Sequence, residues 1–153
     1  MERVEKIENE LQMRFSAISE NESFARMSVA VFMAAMNPTL EEIEDVKTAV
    51  SEAVTNVVVH AKSKEVFLEC KCNGEWFEIE IRDDGVGIED VETARQPFYT
   101  TKENEERSGM GFAFMEAFMD EVTVQSVVGE GTIVTMKKQF KQTRGEKGRK
   151  SFE

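Results

Sequence analysis

Three polar side chains of one predicted helix have the types and the spacing that phosphoryl-transfer chemistry needs. Glu52, Asn56 and His60 lie at positions i, i+4 and i+8, which places them in one stripe along a helix. Val50 and Val54 belong to the apolar side of the same segment, so the polar stripe faces away from the core. A carboxamide oxygen can ligate Mg²⁺, and a carboxylate one turn away can position or deprotonate an attacking hydroxyl. His60 fits a helix-end histidine as well as a nucleotide contact.

Six of the nine glycines fall in three short stretches, at residues 83–87, 107–112 and 129–132. Glycine inside an element costs about 0.5–1 kcal/mol relative to alanine, so each stretch indicates a special need of the backbone. Ser108-Gly109-Met110-Gly111 comes directly before a predicted helix, whose unpaired N–H groups favour an anion such as phosphate. The missing Gly-Lys-Ser/Thr excludes a Walker loop, and the polar segment before the glycines argues against a Rossmann loop.

Two charged residues border these glycines. Asp83 ends a predicted strand before a glycine turn, where its carboxylate could accept a hydrogen bond from the exocyclic amine of a base. Arg107 precedes the phosphate glycines and could neutralise charge that develops on a transferred phosphoryl group. Alone, Asp83 would be a turn residue and Arg107 a surface charge. Together with Glu52 and Asn56, they predict Mg²⁺-dependent phosphoryl transfer.

The elements that position these residues follow the order β-α-α-β-β-lid-α-β-β. Alternating apolar residues and Gly-containing turns predict five strands, at residues 11–17, 65–72, 76–82, 121–127 and 132–138. Helical periodicity predicts three longer helices, over residues 20–36, 40–59 and 111–118. The polar stretch 89–108, with at most a short helix near 90–95, is typical of a functional lid. This order predicts an α+β fold, with an antiparallel or mixed sheet and helices on one face.

The first two helices each begin with a possible capping box. Ser19 is followed three residues later by Glu22, and Thr39 by Glu42. In such a box the hydroxyl accepts from the backbone of the third helical residue, whose carboxylate accepts from the capping residue. Both pairs are therefore predicted helix starts.

Composition limits the class of protein. The 153 residues favour one domain, and the net charge of −11 argues against nucleic acid as the main ligand. The segment 137–150 carries seven Lys or Arg and one Glu, and residues 139–153 are expected to be a flexible basic tail. Cys70 and Cys72 are interpreted as small apolar residues of a reducing compartment. The charged first residues and the absence of a long apolar run predict a cytoplasmic protein.

Four stretches resemble the N, G1, G2 and G3 boxes of the GHKL ATPases: EAVTN at 52–56, DDGVG at 83–87, RSGMG at 107–111 and GEGT at 129–132. Longer strings resemble one family within that superfamily, the sporulation anti-sigma-F factors: FSAISENESFAR at 15–26, VSEAVTN at 50–56, TARQPFYTTK at 93–102 and ERSGMGF at 106–112. The resemblance covers residues 11–138. It implies a two-layer α/β sandwich that binds ATP and Mg²⁺ under a lid.

The resemblance also implies roles for particular residues. Glu52 would be the general base and Asn56 the Mg²⁺ ligand, with Arg107 acting on the phosphoryl group. The implied nucleotide-binding residues are Asp83, Gly85, Gly87 and Thr132 at adenine, Ser108, Gly109, Met110 and Gly111 at the phosphates, and Thr100, Thr101 and Lys102 in the lid. Arg26 would dock protein partners. The implied partners are a second copy of the chain, a sigma factor, and a small anti-anti-sigma protein phosphorylated on serine.

Three other functions fit parts of the pattern. The ATPase half of a histidine kinase would share the boxes, but the chain has one His, in the helix that carries Glu52, and no room for a phosphoacceptor domain. A nucleotide-gated binding module, for example an anti-sigma factor of the general stress type, would need no chemistry at Glu52. A pure adaptor would leave the clustered glycines unexplained.

Overall fold

The computed structural model describes residues 8–96 and 111–141 of the chain. Its strands are β1 (Glu8–Ser16), β2 (Glu65–Asn73), β3 (Trp76–Asp83), β4 (Glu121–Val127) and β5 (Gly131–Gln139). Its helices are α1 (Glu20–Met33), α2 (Leu40–Asn56), α3 (Val91–Ala94) and α4 (Gly111–Phe118). A 3₁₀ turn at Ala34–Met36 and a π-helical turn at Val57–Ala61 follow α1 and α2. All the predicted strands and helices are present, within a few residues of their predicted ends, and most of the predicted lid lies outside the described residues.

The five strands form one sheet in the order β1-β2-β3-β5-β4. Every pair of neighbours is antiparallel, which confirms the antiparallel form of the predicted sheet. The hairpin β4–β5 enters the sheet with β5 against β3, so Asp83 pairs with Thr132 across the two strands. This pairing brings the first and third glycine stretches, 83–87 and 129–132, together at one end of the sheet.

Alternation along the strands separates the two faces of the sheet. Leu68, Cys70, Ile79, Ile81 and Met136 point to the helices and are buried. The opposite face carries a row of alternating charges across all five strands, in the order Glu10, Lys71, Glu78, Lys137 and Glu121. Neighbouring opposite charges on a sheet stabilise each other in water, so this face is built for solvent and the helices cover only the other one.

The ends of α1 and α2 differ from the prediction. Helix α1 stops at Met33, and the 3₁₀ turn after it ends at Asn37, which has a left-handed φ of 59°. Beyond α2 the predicted helix does continue, but as the π-helical turn Val57–Ala61, which ends at Lys62 with φ 57°. Wider π-helical turns are often associated with functional sites.

One of the two predicted capping boxes is present. Thr39 accepts from the Glu42 N–H at 3.0 Å, and Glu42 accepts from the Thr39 N–H at 2.9 Å, which confirms the box that starts α2. The box at Ser19 is wrong. Ser19 has helical backbone angles and makes no side-chain cap bond, and the Glu22 carboxylate accepts from Arg26 Nε at 2.9 Å instead. Glu22 thus forms a salt bridge one turn along the helix, and the Ser19 hydroxyl does not cap it.

Packed structure continues beyond residue 138 into the basic segment. Phe140 is fully buried and stacks on Phe77, with 5.7 Å between the ring centroids. The buried Glu42 carboxylate also accepts from the Lys141 N–H at 2.8 Å, which ties the end of the described chain to the start of α2. Residues 142–153 lie outside the described part.

Both cysteines lie on the buried face of β2. Burial raises the pKa of the Cys70 thiol far above its usual range, and raises that of Cys72 to about 11. Both therefore remain protonated thiols at neutral pH, which fits their interpretation as small core residues.

Candidate functional site

Helix α2 presents Glu52 and Asn56 at the edge of the core. Val46, Val50 and Val54 are completely buried beneath the helix, whereas Glu52 and Asn56 are half-buried. The apolar side of α2 packs on the sheet and fixes its rotation, so these two polar side chains must project from its other side. Glu52 and Asn56 of the predicted polar stripe therefore lie on one side of α2, whereas His60 belongs to the π-helical turn beyond it.

Helix α4 begins directly beside this pair. A β-carbon built on Gly111 would lie 3.2 Å from Asn56 Oδ1, 3.3 Å from Asn56 Nδ2 and 3.5 Å from Glu52 Oε1. Glycine at this position leaves the space in front of both side chains open. The first N–H groups of a helix lack intrahelical partners and carry partial positive charge, so an anion-binding helix end adjoins a carboxylate and an amide.

A second group of predicted residues lies where β3 ends. Asp83 is buried, with 5% of its surface exposed, and its Oδ1 accepts from the Gly85 N–H at 2.8 Å. Burial raises the pKa of Asp83, and the repulsion of the Asp84 carboxylate adds to this, while the N–H groups of Gly85 and Thr132 act against it. A buried carboxylate held by backbone donors is a suitable acceptor for an amine of a bound ligand.

The glycines around Asp83 are required by close approach of the protein's own backbone. A β-carbon on Gly85 would lie 1.9 Å from the Ala61 carbonyl oxygen, and one on Gly131 would lie 2.1 Å from that of Asp83. On Gly87, which has φ +80°, it would lie 2.5 Å from the Val127 carbonyl oxygen. These glycines let the 84–88 loop pack between the end of the α2 segment and the β4–β5 turn.

Backbone hydrogen bonds hold this packing in place. The Val86 N–H donates to the Ala61 carbonyl oxygen at 2.8 Å, and the Gly129 N–H donates to the Val86 carbonyl oxygen at 2.8 Å. The π-helical turn that ends at Ala61 thus connects α2 to the Asp83 loop. His60 belongs to the same turn and is half-buried.

Ser126 is a member of this group that the sequence analysis missed. Its Oγ lies 2.8 Å from Thr132 Oγ1 and 2.7 Å from the Ile88 N–H, which donates to it. It therefore links the strand behind Asp83 to the loop in front. The only signal in the sequence is a polar residue at an inward position of β4, in phase with Val122 and Val124.

The predicted site residues thus fall into two groups and a remainder. Glu52, Asn56 and Gly111 lie together between α2 and α4, and Asp83, Gly85, Gly87 and Thr132 lie together at the end of β3. Arg26 lies apart from both, on α1. The remaining predictions lie outside the described residues: Thr100, Thr101, Lys102, Arg107, Ser108, Gly109 and Met110.

The side chains between α2 and α4 suit a magnesium ion that is coordinated partly by the protein and partly by a phosphate. Within residues 8–96 and 111–141, no three His, Cys, Asp or Glu side chains form a cluster that could hold a metal. Mg²⁺ usually takes one or two protein oxygens and completes its shell with water and substrate phosphates. The Asn56 amide oxygen beside an anion-binding helix end fits that requirement.

The class of protein follows from these two groups and the sheet that carries them. Residues 15–138 match the family described as the histidine kinase-like ATPase domain, a domain that binds a nucleotide. The crystal structure of the RsbU and RsbW domains of a Mycobacterium tuberculosis protein has the same fold, with a TM-score of 0.65 at 18% identity over 86% of this chain and 32% of that one. The predicted fold class is confirmed.

Sequence relatives define the family more narrowly. The chain is 49% identical over 140 residues to the anti-sigma F factor of Anoxybacillus flavithermus, covering 89% of this chain and 96% of the relative. It is 50% identical over 137 residues to the anti-sigma F factor of Clostridium acetobutylicum, covering 88% and 96%. The chain therefore belongs to the anti-sigma F factor family, which confirms the resemblance found in its motifs. Over the described part of the chain, no helix combines the length and apolar character that a membrane span requires.

Proposed function

We propose that this protein is an ATP-dependent protein serine kinase and an anti-sigma factor. It binds and sequesters a sporulation sigma factor, and it phosphorylates a serine of the small anti-anti-sigma protein that releases this sigma factor. The main observation behind the proposal is the position of Gly111 at the first residue of α4. A β-carbon built on it would lie 3.2 Å from Asn56 Oδ1 and 3.5 Å from Glu52 Oε1. A carboxylate and an amide oxygen beside the first N–H groups of a helix are parts that phosphoryl transfer uses.

The Asp83 group binds the adenine in this proposal. Its buried carboxylate accepts a hydrogen bond from the exocyclic amine, and Thr132 lies beside it on β5. The 84–88 loop keeps this end rigid, because its backbone is hydrogen-bonded to Ala61 and Gly129. A rigid adenine end fixes where the phosphates of the same nucleotide lie.

The α2–α4 group performs the chemistry. Asn56 holds Mg²⁺, which neutralises charge on the phosphates when it is bound. Glu52 accepts the proton of the serine hydroxyl as the serine oxygen bonds to the γ-phosphorus and the bond from that phosphorus to the ADP oxygen breaks. Ser108, Gly109, Met110 and Gly111 hold the phosphates, Arg107 compensates the developing charge, and Thr100, Thr101 and Lys102 belong to the lid.

Protein partners bind on and around α1. Phe24, Met27 and Val31 are 48–73% exposed and fall on one side of this helix. Exposed apolar side chains in such a row are typical of interaction surfaces. Arg26 lies on another side of α1, in a salt bridge with Glu22, and we propose that it contacts the sigma factor or its antagonist.

The protein acts as a homodimer in the cytoplasm, and its chain forms a single domain. The core predicted over about residues 11–138 extends to the buried Phe140. Sedimentation at micromolar concentration should give twice the chain mass of 17.4 kDa. A monomer at that concentration would remove the homodimer from the proposal and leave the kinase unaffected.

A nucleotide-gated binding module without kinase activity is the second candidate function. It shares the nucleotide site, so only the chemistry separates the two candidates. The placement of Glu52 beside the head of α4 favours the kinase, because a binding module has no need of a carboxylate next to phosphates.

The test uses ATP labelled at the γ-phosphate, with Mg²⁺ and a lysate of the source cells. We expect acid-stable label on a small protein, as a phosphoserine gives. Glu52→Gln should lower this labelling by about 10²–10⁴-fold, the usual contribution of a general base, while ADP binding stays within about twofold. Acid-labile label would indicate a phosphohistidine instead. ATP binding without any label would leave the binding module, and full activity of Glu52→Gln would reject the proposed base.

A further inference from the structure

Lys138 lies on the buried side of β5 and joins two helices at the end opposite to the chemistry. Its Nζ donates to the Phe118 carbonyl oxygen at 2.6 Å and lies 3.5 Å from Asp45 Oδ2. The side chain is only 13% exposed and that of Asp45 is 22% exposed, unlike the solvent-side pair Lys137–Glu121 of the same strand. Phe118 is the last residue of α4, and Asp45 lies in the first half of α2. A lysine ammonium at a helix C-terminus also interacts favourably with the helix dipole.

The same side of α2 carries both this tie and the proposed chemistry. Glu52 and Asn56 follow Asp45 by seven and eleven residues, which places each of them within about 20° of Asp45 around a helix. Phe118 of α4 lies near Asp45, and Gly111 of α4 lies beside Glu52 and Asn56. Helix α4 therefore runs antiparallel to α2, tied at one end and facing the chemistry at the other.

The tied end of α4 is attached to β5 by further bonds. The Asp120 N–H donates to the Lys137 carbonyl oxygen at 2.9 Å, and the Gln139 N–H donates to Asp120 Oδ2 at 2.7 Å. These bonds fix the turn after α4 to the strand, and the Lys138 ammonium also reaches α2. Within residues 8–96 and 111–141, this side chain connects β5, α4 and α2 through one hydrogen bond and one ion pair.

We infer that Lys138 is a positioning residue for phosphoryl transfer. It sets where α4 lies along α2, and thereby sets the distance between the head of α4 at Gly111 and the pair Glu52–Asn56. The inference rests on the proposed kinase function. Misplacement of reacting groups by about 1 Å can cost two orders of magnitude in rate, so a tie about 10 Å away along an eight-residue helix can affect the chemistry.

The test compares Lys138→Met with Lys138→Arg and with Lys137→Met, the matched control on the solvent side of the same strand. We expect Lys138→Met to lower the labelling rate of the small protein at saturating ATP about tenfold, with ADP affinity changed less than about twofold. Lys138→Arg keeps a charged donor and should restore most of the rate. Lys137→Met should match the unmodified protein.

A purely structural role gives a different pattern. It would lower the unfolding midpoint of Lys138→Met while the transfer rate, measured well below that midpoint, stayed unchanged, and this result would overturn the inference. If Lys138→Met does not fold, Asp45→Asn removes the α2 half of the tie and should lower the rate severalfold. An unmodified protein that transfers no label would contradict the proposed kinase function. In that case, amide hydrogen exchange over residues 111–118 tests whether Lys138 holds α4 in place. Faster exchange in Lys138→Met but not in Lys137→Met would support this role, and equal exchange in the two variants would reject it.

Discussion

Two glycines at the two ends of the candidate site have opposite reasons to be glycine. At Gly85 a β-carbon would collide with the Ala61 carbonyl oxygen at 1.9 Å, so the fold itself excludes any side chain. At Gly111 the nearest atoms are the side-chain atoms of Asn56 and Glu52, at 3.2–3.5 Å, and φ is not in the left-handed range. The Asp83 end, the proposed adenine site, is therefore fixed by backbone packing, whereas the α2–α4 end is left open in front of the Asn56 and Glu52 side chains.

This difference shows that a glycine motif carries two kinds of information. The pattern DDGVG includes glycines that the protein needs in order to close its own loop, whether or not a nucleotide is bound. RSGMG ends with Gly111, where the lack of a side chain leaves space in front of Asn56 and Glu52. Substitutions at the two positions should therefore separate stability from activity.

Gly85→Ala should have the largest effect and should act on the fold. Overpacking against backbone atoms cannot be relieved by a rotamer change, so we expect a loss of about 3 kcal/mol in the free energy of unfolding. Urea unfolding measures it. Gly129→Ala is the matched control, because Gly129 has φ +85° but nothing within 4 Å of its β-carbon position, and should cost only about 1 kcal/mol. Equal losses at the two positions would show that the Ala61 contact is unimportant.

Asp83→Asn should weaken nucleotide binding without weakening the fold. A hydrogen bond to a charged group is worth about 1.5–3 kcal/mol, so ADP affinity should fall about 10–100-fold in calorimetric titration. The free energy of unfolding should change by less than about 1 kcal/mol, because burial already disfavours the ionised carboxylate. Asp84→Asn, at the exposed neighbour, controls for the loss of charge. Undiminished ADP affinity in Asp83→Asn would remove adenine from this end of the site.

Gly111→Ala should have a smaller effect and should act on activity. The new methyl group would press on the Asn56 amide at about the limit of ordinary contact, so we expect the transfer rate to fall about tenfold. Stability should stay within about 1 kcal/mol, because alanine is the better helix former. If Gly111→Ala instead lost stability and kept its transfer rate, Gly111 would serve the fold, as Gly85 does, and not the activity.

The pH dependence of nucleotide binding should be the smallest effect and should depend on Asp83. Burial raises its pKa, so the folded protein holds this proton more tightly than the unfolded chain does. Its contribution to stability therefore decreases as pH rises from the usual aspartate pKa through the raised one. ADP affinity should decrease as pH falls through the raised pKa, because protonation removes the ionised acceptor. The Asp83→Asn variant should lack this step, and an identical pH profile would place the titrating group elsewhere.

Local signals were sufficient to predict most of the elements. The capping box at Thr39, the polar stripe of α2 and both hairpin turns depend on residues close in the chain, and the structure contains all of them. The box at Ser19 failed although its pattern is equally good, because Ser19 has helical backbone angles and its hydroxyl makes no cap bond. Glu22 forms a salt bridge with Arg26, a second local partner that the box pattern does not consider.

The remaining features depend on contacts between distant parts of the chain. Insertion of β5 between β3 and β4 unites Asp83 with Thr132, which lie 49 positions apart in the sequence. The need for glycine at 85 comes from Ala61, and the π-helical turn that presents Ala61 has no pattern of its own in the sequence. Ser126 and Lys138 each resemble ordinary strand residues until their partners in other elements are known.

The central claim is that the Asp83 end binds the nucleotide and the Glu52 end performs the transfer. The most direct measurement is the rate of label transfer at saturating ATP, compared between Asp83→Asn and Glu52→Gln with nucleotide affinity measured on the same preparations. We expect Asp83→Asn to recover most of the transfer rate at saturation, whereas Glu52→Gln should bind ATP without transferring its phosphate. Equal loss of transfer at saturation in both variants, or equal loss of affinity, would contradict the division between the two ends.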